Sequence, residues 1–120
     1  MITLCLDSSG KSATVVLAKD EDLLYSTCLN TGLTHSETLL SLIQQALHAS
    51  GLTPQDIDQY GICTGPGSFT GLRIGIALVK GLAFSADTPC VPLSTLHVLA
   101  CGVSWPGIVI SALDARRGEV

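Results

Sequence analysis

ITLCLDSSGKSATVVLAKDEDLLYSTCL fills residues 2–29. It contains three strand-length apolar runs, at residues 2–7, 12–18 and 23–29, parted only by SSGK and KDED. Strands joined by turns this short predict an antiparallel meander at the start of the chain. Helix follows: Thr34 and Glu37 fit a capping box, and Leu39, Leu40, Ile43, Ala46 and Leu47 recur at helical spacing before Gly51 in the C′ position. YGICTG (residues 60–65) is expected as a fourth strand. A second helix runs over about residues 70–86, stopping before Pro89. CVPL (90–93) reads as a short strand, STLHVLACGV (94–103) as a helix capped by Ser94, and GIVISAL (107–113) as a last strand. The predicted order is β-β-β-α-β-α-β-α-β. DARRG (114–118) then looks like a hairpin turn whose return strand has barely begun, as in the front part of a longer protein.

The chain of 120 residues is 47% hydrophobic and only 13% charged, against roughly 25% charged in an average soluble domain. Aromatics make up 4%, so the core must be aliphatic. Mean hydropathy is +0.49. So little charge leaves apolar surface for a partner or another domain to cover. A net charge of −4 argues against a broad nucleic-acid-binding face. Cys5, Cys28, Cys63, Cys90 and Cys101 are odd in number and widely spaced, which suits free thiols in a reducing compartment. No basic segment and apolar run open the sequence as in a signal peptide, and apolar runs break well short of the ~20 residues that span a bilayer. A cytoplasmic protein is expected.

The glycine-rich loop GPGSFTG (65–71) admits two readings. Strand, loop and helix N-terminus together can form an anion site. Alternatively, the glycines supply a sharp turn and a close helix–strand approach. A dinucleotide fingerprint is disfavoured: Thr70 holds the third glycine's place, and Asp87 falls at a helix end. Gly10-Lys11-Ser12 resembles the tail of a phosphate loop, but Cys5 stands where its first glycine belongs and a strand follows.

The second helix is apolar almost all round. Leu72, Ile76, Val79 and Ala83 form one stripe, taken as sheet-facing, and Gly71, Gly75, Leu78 and Leu82 form another. Gly75 and Gly81 inside a helix each cost about 1 kcal/mol against alanine, so close approach of a backbone from outside the sheet is expected. The apolar positions of the first helix spread over roughly 160° where a sheet covers about 100°. The expected partner face is therefore Leu39, Leu42, Ile43, Ala46, Gly71, Gly75, Leu78 and Leu82.

Catalytic candidates are sparse. Asp7 ends the first strand where actin-like ATPases and RNase H-like nucleases place a metal-binding aspartate. A nuclease would add a helix carboxylate, for which Glu37 could serve, and another at the end of strand four, which instead ends Thr64-Gly65. His35, His48 and His97 are isolated, so no metal site is expected. Arg116 and Arg117 read as turn charges or phosphate contacts.

GPGSFTGLRIG closely resembles the signature segment of the TsaB (YeaZ) family, which acts in bacterial threonylcarbamoyladenosine modification of tRNA. LCLDSSGKSATVVL is similar to that family's first hairpin, THSETLL to its histidine–serine–glutamate helix start, and ALDARRGEV to its link toward a second domain. The resemblance implies an α/β fold of the actin/hexokinase-like ATPase superfamily. Residues 1–105 would form an RNase H-like N-terminal domain, with a mixed five-stranded sheet whose first three strands are antiparallel, and 106–120 would start a second, similar, truncated domain. It also implies a non-catalytic subunit that holds the transferase TsaD, assisted by the ATPase TsaE. Such a subunit pairs with TsaD or with itself and meets tRNA only through the complex. ATP and metal would belong to the partners. The missing HxxxH agrees: Leu39 stands four residues after His35, where TsaD-like members carry a second histidine. Vestigial phosphate or nucleotide contacts would fall at Asp7, Ser8, Gly67 and Ser68. The rival expectation is a nucleotide-binding phosphotransferase or ATPase of the sugar-kinase fold, which needs a second nucleotide-binding domain.

Overall fold

The structure, a computed structural model, describes residues 1–30 and 35–113. The Thr34 cap and the turn carrying Arg116 and Arg117 lie outside the described residues.

β1 (Ile2–Asp7), β2 (Ala13–Lys19) and β3 (Asp22–Leu29) form the expected meander, each antiparallel to the next. β4 (Gln59–Gly65) and β5 (Cys90–Ser94) then add in parallel, giving a five-stranded sheet in the order β3-β2-β1-β4-β5. Register aligns the apolar alternation into rows. Leu17, Leu4 and Tyr60 lie side by side across β2, β1 and β4, as do Val15, Leu6 and Ile62. All six are buried. Because side chains alternate along a strand, one face of the sheet is thereby apolar and requires a cover.

That cover is a pair of helices. α1 (His35–Ser50) lies over β2 and β3, and α2 (Phe69–Phe84) lies over β4 and touches α1. α1 ends in a Schellman motif: Leu52 N–H donates to Leu47 C=O (2.9 Å) and Gly51 N–H to His48 C=O (3.2 Å). Its C′ residue must turn left-handed, and Gly51 does so at φ 68°. α2 stops the same way with Asp87 in the left-handed position, as Thr88 N–H reaches Ala83 C=O at 3.0 Å. The helix thus ends two residues earlier than its sequence suggests. α3 (Thr95–Cys101) starts at Ser94, whose hydroxyl accepts from His97 N–H.

Residues 107–113, expected as a strand, form none. A strand exists through its ladder, and no described strand pairs with this segment. Ile108 and Ile110 stand 91% and 88% exposed, and Ser111 Oγ donates to Leu96 C=O of α3 (2.7 Å).

Candidate functional site

Three N-terminal or loop features converge at the end of β1: the β1–β2 turn, the start of α1, and the loop leading into α2. Asp7 begins the turn. Its Oδ1 accepts from Ser9 N–H at 2.9 Å and from Ser9 Oγ–H at 2.5 Å, a local closure typical of aspartate in turns. Ser8 points the other way, fully buried, and its hydroxyl donates to Gly71 C=O of α2 at 2.7 Å. Ser9 C=O accepts from Ser68 N–H at 2.7 Å. His35 Nε2 lies 2.7 Å from Gly10 C=O. A carbonyl only accepts, so Nε2 carries the proton. Ser68, the N-cap of α2, accepts from Gly71 N–H at 3.3 Å. Thr70, the neighbouring hydroxyl, lies inside the helix.

The glycines explain why these parts close so tightly. A Cβ on Gly67 would stand 2.6 Å from Ser9 O, and one on Gly71 would collide with Ser8 O. A Cβ on Gly75 would collide with Ser8 Oγ. All three positions are filled by the β1–β2 turn of this chain.

Asp7, Ser8, Gly67 and Ser68 are thus brought together as the resemblance implies, but with partners from their own chain. Of the N–H groups at the N-terminus of α2, that of Ser68 donates to Ser9 C=O and that of Gly71 to Ser68 Oγ. Burial, then the neighbouring Asp7 charge, push the Cys63 thiol up to about 12. Burial likewise raises the Cys5 thiol.

The expected partner face is corrected in its placement. Leu39, Leu42, Ile43 and Ala46 are core residues, at most 4% exposed. Gly71 and Gly75 face inward against Ser8, and Leu78 and Leu82 are half-buried against the core. The physical reason is that the helix seats deepest where its side chains are smallest, so the glycine stripe, rather than the leucine stripe, meets the turn. The centre of the buried arc is Gly71, Gly75, Val79 and Ala83, with Leu72 and Ile76 on its flank.

The outer side of α2 carries different residues. Phe69 is 73% exposed and Phe84 89%, and Leu40 of α1 is also exposed. The Arg73 guanidinium lies 5.3 Å from the centre of the Phe69 ring, a cation–π arrangement. Phe69, Thr70, Arg73, Ile74 and Ala77 line an open groove of about 350 Å³. Sequence reading missed this groove, although an exposed aromatic four residues before an arginine on one helix was available as a signal.

His48 and His97 are exposed, and neither joins His35. Among the described residues no group of three or more His, Cys, Asp or Glu side chains could hold a metal ion. No helix among them is long and apolar enough to cross a membrane.

Comparison with known proteins places these features in a family context. Residues 30–120 match the family described as TsaD, tRNA N6-adenosine threonylcarbamoyltransferase. A protein of Escherichia coli (strain K12), "tRNA threonylcarbamoyladenosine biosynthesis protein TsaB", is 36% identical over all of this chain and 53% of its own length. The protein of the same name from Bacillus subtilis (strain 168) is 34% identical over the same shares. The chain therefore spans about half the length of the curated relatives it matches. The solved structure "YeaZ from Pseudomonas aeruginosa" superposes with a TM-score of 0.78 at 32% identity, covering 82% of this chain and 46% of that one.

Proposed function

The chain belongs to the TsaB family of tRNA threonylcarbamoyladenosine biosynthesis proteins, matching its N-terminal part, and we propose that it is the non-catalytic subunit that holds a TsaD-like transferase. In this reading TsaD supplies the chemistry and transfers threonylcarbamoyl to the tRNA adenosine. A TsaE-like ATPase assists, and this chain meets tRNA only within the complex. It needs no cofactor of its own and works in the cytoplasm.

One observation carries the reading: the groove of Phe69, Arg73, Ile74 and Ala77 faces outward on α2, while the loop beneath is fastened to its own β1–β2 turn. The exposed face is suited to packing. Ala77 and Gly81 present almost no side chain there, and nothing lies within 4 Å of a Cβ placed on Gly81. A partner helix can therefore come close between the two phenylalanines and Leu40. Relocating the partner surface from the inward glycines to this outer side keeps both helices in it, and the same face serves self-pairing. A phosphotransferase reading would have to hold its phosphate beside a Ser68 N–H that already donates to Ser9 C=O.

The test is titration of the full chain with purified TsaD. Ala77→Arg is expected to weaken binding at least about tenfold by placing a charge in the packed face, with the melting temperature unchanged. Unchanged affinity would place the interface elsewhere. Phosphate release from ATP that disappears in Asp7→Ala would restore the enzymatic reading.

A further inference from the structure

The outer face belongs to two helices, but what sets their positions lies underneath. Both N-termini are registered on one turn, residues 8–12 between β1 and β2. α1 reaches it through His35 on Gly10 C=O, and α2 through Ser68 N–H on Ser9 C=O and through the buried Ser8 hydroxyl on Gly71 C=O. The two attachments also touch each other, because a Cβ on Gly71 would stand 3.0 Å from His35 Cδ2. Ser8 occupies the central place. Its hydroxyl fills the space beneath Gly75 while it binds the carbonyl one turn earlier. The depth at which α2 seats is therefore fixed by one small side chain that has no solvent contact.

We propose that Ser8 is a positioning residue for partner binding: it sets the height of α2 relative to α1, and with it the shape of the outer groove. The inference rests on the partner-holding role proposed above. A helix packed in a folded core moves as a unit, so a misfit under Gly75 is transmitted to Phe69, Arg73 and Ala77 on the far side.

The experiment measures the affinity of the full chain for purified TsaD by calorimetry, well below the melting temperature. Gly75→Ala places a methyl against Ser8 Oγ and is expected to weaken binding about tenfold. In Ser8→Ala/Gly75→Ala the clash is gone. The new methyl meets residue 8 Cβ at 3.4 Å and the movable Ile62 Cδ1 at 3.1 Å, so affinity is expected to return to within about threefold of wild type. Ser8→Ala alone, which introduces no clash, is expected to lose about threefold and keeps the test available if Gly75→Ala does not fold. Asp58→Ala removes the acceptor of Ile2 N–H at the opposite end of β1 from the turn and is expected to lower stability yet bind normally, which separates positioning from mere destabilisation.

Wild-type affinity in folded Gly75→Ala, or in Ser8→Ala where only that variant folds, would overturn the proposal. So would a double variant no better than Gly75→Ala. If Ala77→Arg also binds normally, the partner face itself is misplaced and both readings fall. If Ala77→Arg loses binding while the Ser8 and Gly75 variants retain it, only the role of Ser8 fails.

Discussion

Substituting alanine at two glycines of the same helix, Gly71 and Gly81, should change stability in opposite directions. The local change is identical, since each replacement raises helix propensity by about 1 kcal/mol. At Gly81 nothing lies within 4 Å of the added Cβ, so the gain is kept and Gly81→Ala stabilises by about 0.5–1 kcal/mol. At Gly71 the Cβ collides with Ser8 O, a backbone atom held within the β1–β2 turn, and presses on His35 Cδ2 at 3.0 Å. Overpacking costs about 1–3 kcal/mol, and a collision with a backbone atom falls at the upper end, about 2–3 kcal/mol, leaving a net loss of about 1–2 kcal/mol. At about 4 °C per kcal/mol for a chain of this length, Gly81→Ala should melt about 2–4 °C higher than wild type and Gly71→Ala about 4–8 °C lower. Thermal melts followed by far-ultraviolet circular dichroism resolve a difference of this size. If Gly71→Ala melts at or above the wild-type temperature, Gly71 does not face the turn and the placement of α2 described here is wrong.

Two further outcomes follow from the same seam. Ser68→Ala should cost about 1 kcal/mol through loss of the N-cap, and Thr70→Ala, whose hydroxyl caps nothing, should leave the melt unchanged; equal effects would misassign the cap. With its thiol pushed up to about 12, native Cys63 should react with an alkylating reagent at pH 8 roughly a thousandfold slower than exposed Cys28, and denaturation should abolish the difference. A raised thiol favours the folded state below the ordinary thiol value, so stability should decline as pH climbs from there toward 12; labelling of native Cys63 at the Cys28 rate would refute both halves.

The sheet was legible because its signals are local. Three runs separated by four-residue turns leave one pairing, and the alternation Leu4–Leu6 against Val15–Leu17 settles which face is covered. Helix ends were legible where chemistry forces them, at Gly51 and before Pro89. The face of α2 was not legible, because periodicity ranks faces by hydrophobicity whereas packing ranked them by size. Leu72 and Ile76 make the more apolar stripe, yet the turn beneath admits only Gly71 and Gly75. Ser8 was noticed as a phosphate contact, and a serine's sequence does not say whether its hydroxyl faces an anion or a carbonyl. His35 looks isolated in the sequence, since its partner, a backbone oxygen 25 positions away, leaves no trace in side-chain spacing. Residues 107–113 have strand composition, but composition cannot supply the neighbouring strand that a ladder requires.

The closed seam also constrains what descendants of this sequence can become. Freeing the Ser68 N–H for a ligand means releasing Ser9, which stands against Gly67 and shares Asp7 with its own side chain. Releasing Asp7 in turn disturbs the Cys63 thiol in the adjacent strand. Each replacement taken alone breaks bonds and packing before any ligand contact exists to compensate. A ligand-binding loop here would need several coordinated changes, because each replacement made alone breaks a bond or a close contact of the seam.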